Sequence, residues 1–166
     1  MQRTKKFLVL LAVLTLTNTV KAQYFMSGGI GYQVLSAEDH TVEVTVKESC
    51  TPYSGNITIP ATVTYNGTGY DVVALGKEAF YQAHLTGITI PSSVTQIKRG
   101  CFLYATGPSS ITIPASVAII EPLAFAINNL NTINVDENNL NYMSMDKMLF
   151  SKDTSILVEC LMTQSG

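Results

Sequence analysis

Apolar and polar positions alternate in the same letters at three places in the chain: "ITIP" stands at 57–60, 88–91 and 111–114. Ile-Thr-Ile predicts a short strand, because successive side chains point to opposite faces and both isoleucines then share one face. Proline closes each strand, since it has no N–H to give to a ladder. Six residues after each leading Ile comes a Val, at 63, 94 and 117. An apolar residue, three variable ones and a small-Phe pair follow: Leu75 to Ala79-Phe80, Ile97 to Cys101-Phe102, and Ile120 to Ala124-Phe125. The spacing of that last segment predicts a single helical turn that returns its Phe to the interior.

The units 88–110 and 111–132 are 23 and 22 residues long, a period that belongs to solenoid repeats. The first unit, 57–87, is eight residues longer than its neighbour, and the excess falls around "TVTYNGTGYDV". Asn66-Gly67 between Thr- and Tyr-rich arms predicts a two-residue hairpin near 64–72, projecting from an otherwise regular coil. One unit buries almost nothing by itself. Stacked units pair their strands and bury continuous Ile and Phe columns, with special ends to close the array. Two outward columns follow: Asn56, Gly87, Ser110 and Thr132, then Thr58, Thr89, Thr112 and Asn134.

The pattern I-x-I-P, a Val/Ile position and x-x-x-A-F resembles the BspA-like branch of bacterial leucine-rich repeats over roughly residues 57–158. Departures are Ala83, Ala105 and Asn128 where that family usually has Cys, and Pro108 where the first and third units have Leu85 and Leu130. Pro108 and a one-residue excess before it predict a loosened turn in the second repeat. The resemblance implies a mostly β repeat solenoid: a short leucine-rich-repeat stack with one strand and a short helical turn per repeat, an N-terminal β cap and a C-terminal β-hairpin cap. The caps fall at 23–56 and 133–166, with three repeats at 57–132. In the first cap, Thr41 to Val46 alternates as an amphipathic strand; in the second, Ile133-Asn134-Val135 starts a fourth strand, and Asp146-Lys147 and Ser151 to Thr154 read as turns. The resemblance also implies an exported, non-enzymatic binding or adhesion protein that engages protein or glycan ligands at the bacterial surface. The alternative is a structural or accessory envelope module, or a fragment of a longer repeat protein.

Export is also read from the residues. Arg3, Lys5 and Lys6 precede an apolar run from Phe7 to Leu16, and Val20-Lys21-Ala22 suits a cleavage site, so residues 1–22 predict a signal peptide. That run is about half of the roughly twenty residues that a membrane-spanning helix needs. Past Ala22, six Lys/Arg face twelve Asp/Glu, a net charge of 6 − 12 = −6. An acidic body without a basic stripe argues against a nucleic-acid partner.

Little catalytic or metal chemistry is predicted. His40 and His84 have no neighbouring ligand at metal spacing, "DENN" at 136–139 lacks the spaced acids and Gly of a calcium loop and reads as a solvated turn, and "GGIG" at 28–31 precedes a strand rather than a helix. No cofactor is expected. Cys50, Cys101 and Cys160 are an odd set, so at least one thiol stays free and an oligomer through it is an open reading. The candidate binding surface is therefore the outward strand positions Thr58, Thr89, Thr112, Asn134, Ser110 and Thr132, together with Tyr65, Asn66 and Tyr70 of the hairpin. The same threonines are good strand formers in their own right, so the columns name no ligand.

Overall fold

The computed structural model describes residues 23–145, 148–155 and 157–160. The signal-peptide reading of residues 1–22 and the Asp146-Lys147 turn lie outside the described residues. At the N-terminal end are β1 (Tyr24–Ser27), β2 (Ile30–Ser36) and β3 (Thr41–Thr45). The repeats supply β4 (Ser54–Thr58), β5 (Thr62–Tyr65), β6 (Thr68–Leu75), β7 (His84–Thr89), β8 (Gln96–Ile97), β9 (Ser110–Ile113), β10 (Ile119–Ile120) and β11 (Thr132–Val135). At the C-terminal end come β12 (Tyr142–Met145), β13 (Met148–Ser151) and β14 (Leu157–Cys160), an antiparallel three-stranded sheet.

Each repeat contributes to two columns of parallel strands. The Ile-Thr-Ile segments form one column, in which Thr58 lies opposite Thr89 and Thr112 opposite Asn134. The second column stacks Leu75 on Ile97 and Ile97 on Ile120. The cap extends this second column into a seven-stranded sheet, ordered β1-β2-β3-β6-β8-β10 with β5 paired to β6. In the first column the ladder is split: β4 pairs β7 and β9 pairs β11, as two separate two-stranded sheets. The break falls where the second repeat carries Gly107-Pro108, at the turn expected to be loose.

The third side of each coil corrects the sequence reading. The Ala-Phe segments are not helical turns, and no helix is present among the described residues. Glu78, Gln82 and Tyr104 have φ of 54°, 52° and 59°, in the left-handed region that a right-handed helix excludes. Backbone donors alternate instead. Ala79, Tyr81 and Ala83 donate three residues back to Gly76, Glu78 and Phe80, while Glu78, Phe80 and Gln82 donate across to Arg99, Cys101 and Leu103 of the next coil. The next coil repeats the scheme, with Gly100, Phe102 and Tyr104 donating to Pro122, Ala124 and Ala126. Within a helix, each donor past the first turn bonds four residues back along its own segment. These consecutive turns give half of their donors to the neighbouring repeat and so stitch the stack together.

The phenylalanines do point inward as expected. Phe80, Phe102 and Phe125 are buried and form a column with ring centroids 5.0 and 5.7 Å apart, nearly parallel at 9° and 13°. Tyr53 extends this column from the cap, 5.0 Å from Phe80. Val63, Val94, Val117 and the Ile columns complete the interior, with Val42, Val44, Tyr32 and Leu149 closing its ends.

Two further expectations change. The strand at 41–45 is not amphipathic: Val42, Glu43 and Val44 are all buried. Val42 and Val44 belong to the core, and Glu43 on the opposite face is covered by the Lys98 side chain of the second repeat, 2.7 Å away. Similarly, "DENN" does not end in a solvated turn. Asn139 is fully buried; its Nδ2 donates to the carbonyls of Pro114 and Val117 at 2.9 and 3.0 Å, and its Oδ1 accepts from the N–H groups of Asn141 and Tyr142, both at 2.8 Å. With donor and acceptor both used, this side chain ties the C-terminal cap to the third repeat.

Candidate binding surface

Strand alternation sends Ile59, Ile90 and Ile113 inward and Thr58, Thr89 and Thr112 outward, and the outward set is exposed. Asn56 lies beside Gly87 and Ser110 beside Thr132, so the second column also runs across the rungs. A Cβ at position 87 would stand 2.4 Å from the Asn56 carboxamide oxygen, so a larger residue there would make that exposed side chain turn aside. Thr58, Thr89, Thr112, Asn134, Ser110 and Thr132 thus occupy one face, uncharged and able to donate and accept hydrogen bonds. The split between β7 and β9 divides it into two halves.

The hairpin residues are placed differently. Asn66 and Gly67, with φ of 49° and 81°, form the two-residue turn between β5 and β6, and Asn66 is exposed. However, the hairpin does not project. Tyr65 stacks on Phe25 of the cap at 4.3 Å, and Tyr70 is buried, 6.4 Å from Tyr65 and edge-on to His40 at 5.5 Å. Tyr70 is therefore a packing residue, and Tyr65 offers at most one flank. The alternation that predicts the hairpin carries no information on which ring finds an apolar neighbour.

Sequence reading missed the segment from 46 to 53. It crosses the end of the stack and encloses, with residues 78–82, a cleft of about 250 Å³. Tyr53 anchors it: its hydroxyl accepts from the N–H of Gly31 at 2.8 Å and donates to the carbonyl of Thr45 at 2.6 Å. Burial pushes the Tyr53 hydroxyl up to about 12. Lys47 Nζ sits 4.8 Å from the centre of the Tyr53 ring. No repeat period marks this segment.

Cys50 is exposed beside the cleft, and Cys101 is buried; both are free. Burial pushes the Cys101 thiol well above its ordinary range, with the Glu43 carboxylate adding to the effect. The side chain of Cys160 lies outside the described residues. His84 Nδ1 meets Thr106 Oγ1 at 2.9 Å. Among the described residues, no group of three or more His, Cys, Asp or Glu could hold a metal ion, and no helix is long and apolar enough to cross a membrane.

In the C-terminal cap, Asp153 Oδ1 accepts from Ser151 Oγ at 2.6 Å, Ser155 Oγ at 2.7 Å and Ser155 N at 3.0 Å. These bonds favour the charged form and lower the carboxyl to about 2. A folded-state value below the unfolded one means that the stabilisation is complete above the unfolded value of about 3.9 and is lost as pH falls through about 2. An NMR titration is expected to place the Asp153 midpoint near 2; a midpoint close to 4 would show that the three donors do not hold the carboxylate in solution.

Comparison with solved structures finds a leucine-rich repeat protein from Bacteroides capillosus, 28% identical over 68% of this chain and 98% of that one, with a TM-score of 0.49. The pneumococcal vaccine antigen PcpA is 17% identical over 82% of this chain, TM-score 0.32, and a leucine rich cell surface protein from Faecalibacterium prausnitzii is 17% identical over 78%, TM-score 0.30. This chain spans 56% and 58% of those two proteins' lengths. No curated protein matches it. Residues 73–161 match the BspA type leucine rich repeat region, in six copies, and cover more than half of the chain. On that match, and with the repeat columns in register as described, the chain belongs to the BspA-type leucine-rich-repeat family.

Proposed function

We propose that the chain is an exported, non-enzymatic binding protein that engages a protein or glycan ligand at the bacterial surface through the outward face of the Ile-Thr-Ile strands. The observation that carries this reading is the register of Thr58 with Thr89, Ser110 with Thr132 and Thr112 with Asn134, all exposed and all free of charge. Short hydroxyl and amide groups repeated at strand spacing suit hydroxyl-rich or peptide ligands, which need many weak directional contacts. Export is supported by the signal-like residues 1–22, and binding by membership of a repeat family whose rungs present one face to solvent.

Four strands at about 4.8 Å span only about 14 Å. A standard protein interface covers roughly 800 Å² per partner, so tight protein binding recruits neighbouring surface as well. The test is a screen of the full chain against immobilised extracellular-matrix proteins and a glycan array, with the Thr112→Lys/Asn134→Lys variant alongside. Binding that drops about tenfold or more in the variant is the expected result, because two long cations then crowd the face. Absence of binding to every surface, or equal binding by the variant, removes the proposal.

A further inference from the structure

The column of consecutive turns begins with an open row of acceptors. Glu78, Phe80 and Gln82 donate to the carbonyls of Arg99, Cys101 and Leu103, and Gly100, Phe102 and Tyr104 donate to those of Pro122, Ala124 and Ala126. Each coil thus turns three carbonyls toward the coil before it. In the first coil the corresponding carbonyls are those of Lys77, Ala79 and Tyr81, one period of 22 residues before 99, 101 and 103. No coil precedes them, and among the described residues no donor reaches them. On that side lies the cleft of about 250 Å³, walled by Ala79, Tyr81 and Gln82 of the turns and by Lys47, Pro52 and Tyr53 of the crossing segment.

The walls restrict what this cleft can take. Its carbonyl oxygens need a ligand that donates hydrogen bonds. A cation is disfavoured, because Lys47 Nζ already stands 4.8 Å from the centre of the Tyr53 ring and would repel it. An anion would face the carbonyl row and the Glu78 carboxylate. The cleft also offers an aromatic face: Tyr81 is 38% exposed, and Tyr104 meets it edge-on, 5.9 Å between ring centroids at 71°, which covers at most one side of the ring. A cavity of about 150 Å³ holds benzene, so this one takes a single substituted six-membered ring and is too small for a run of peptide. A pyranose meets these conditions together. Its C–H groups pack on the electron-rich face of an aromatic ring, and its hydroxyls both donate and accept.

We infer that the cleft is a second binding site of this chain, taking one uncharged pyranose residue of a glycan, with its C–H face on Tyr81 and its hydroxyls on the carbonyls of Ala79 and Tyr81. A glycan is one of the two ligand classes proposed above, but the surface is a different one. The two readings fail separately, because Thr112→Lys/Asn134→Lys leaves the cleft untouched and a change at Tyr81 leaves the outward threonines untouched.

The test follows amide shifts of the isotope-labelled full chain with the methyl glycosides of glucose, galactose, mannose and N-acetylglucosamine, and with glycerol as a polyol that has no ring. At least one glycoside is expected to shift Cys50, Ala79 and Gln82, and glycerol is not. Tyr81→Ala is expected to weaken that glycoside roughly fivefold or more, whereas Tyr81→Phe, which keeps the ring, stays within about twofold. No shift at these three residues, the same shifts with glycerol, or shifts at Thr89 and Thr112 instead overturns the assignment. Equal weakening by Tyr81→Phe overturns the packing on the ring. On a glycan array, retention of the full chain is expected to fall in Tyr81→Ala; glycoside binding without any retention assigns the cleft to a free sugar and overturns the glycan. Should Tyr81→Ala fail to fold, the shifts on the unchanged chain decide alone.

Discussion

Phe102→Ala is expected to lower unfolding stability by about 3–5 kcal/mol, the largest loss from a single side chain in the stack. Phe102 is fully buried at the middle of the ring column, 5.0 Å from Phe80 and 5.7 Å from Phe125. Truncation removes the transfer energy of one aromatic side chain, about 1.5–3 kcal/mol, and leaves a cavity that both neighbouring rings border. The alternating hydrogen bonds of the turns hinder collapse into that space, since Phe102 N is held by Ala124 O at 3.0 Å and Phe80 N by Cys101 O at 2.8 Å. For a domain of this size the loss corresponds to a fall of roughly 10 °C or more in Tm. Thermal and urea unfolding followed by circular dichroism measure it; a loss under about 1 kcal/mol would mean that the column does not carry the core.

The second large effect is expected at Glu43. This carboxylate lies on the central strand of the cap, and Lys98 Nζ of the second repeat reaches its Oε2 at 2.7 Å. Both side chains are largely withdrawn from water, at 11% and 26% exposure. Gly76 makes room for the approach: a Cβ there would stand 2.5 Å from the carbonyl of Val44 and 3.1 Å from Glu43 Cδ. Lys98→Met leaves a buried charge without its cation and is expected to cost about 3–5 kcal/mol. Glu43→Met/Lys98→Met, which removes both charges and restores apolar contact, is expected to cost less than the single change. A double-mutant cycle by urea unfolding separates the cases, and additive losses would show that the pair is not coupled.

This ion pair bears on how the cap chooses its place. Repeats of one pattern are interchangeable to their neighbours, and Ile and Phe columns do not tell one rung from another. Glu43 meeting Lys98 across Gly76 is a feature that only one alignment of cap and stack provides. The open edge of β4 has the same origin, because the cap extends the second column of strands and leaves the first one without a further strand.

The periodic features were legible from the residues. Ile-Thr-Ile predicts the strand faces, the small-Phe pairs predict the inward rings, and Asn66-Gly67 predicts the hairpin turn, each through local geometry acting over two to seven residues. The outward positions Thr58, Thr89, Thr112 and Asn134 follow from the same alternation. Where inference failed, the deciding contacts were remote in sequence. Ala79-Phe80 has spacing that fits a helical turn, yet Glu78 and Phe80 find their acceptors at Arg99 and Cys101, and those bonds favour consecutive turns instead. Tyr70 reads as a hairpin surface residue, but His40 of the cap packs edge-on to it, beside Tyr65, which itself stacks on Phe25 of β1. Glu43 reads as the polar side of an amphipathic strand until Lys98 of the second repeat folds over it.

By itself, then, the sequence determined the repeat, its strand faces and its inward columns, because those depend on periods of two and about twenty-two residues that any copy of the pattern obeys. Only the tertiary structure decided the turn conformation, the buried Glu43 and Asn139, the packing of the hairpin on the cap, and the open edge of β4. Each of these depends on which backbone donors, rings and charges from distant segments arrive at the same place, and on where the stack of strands stops.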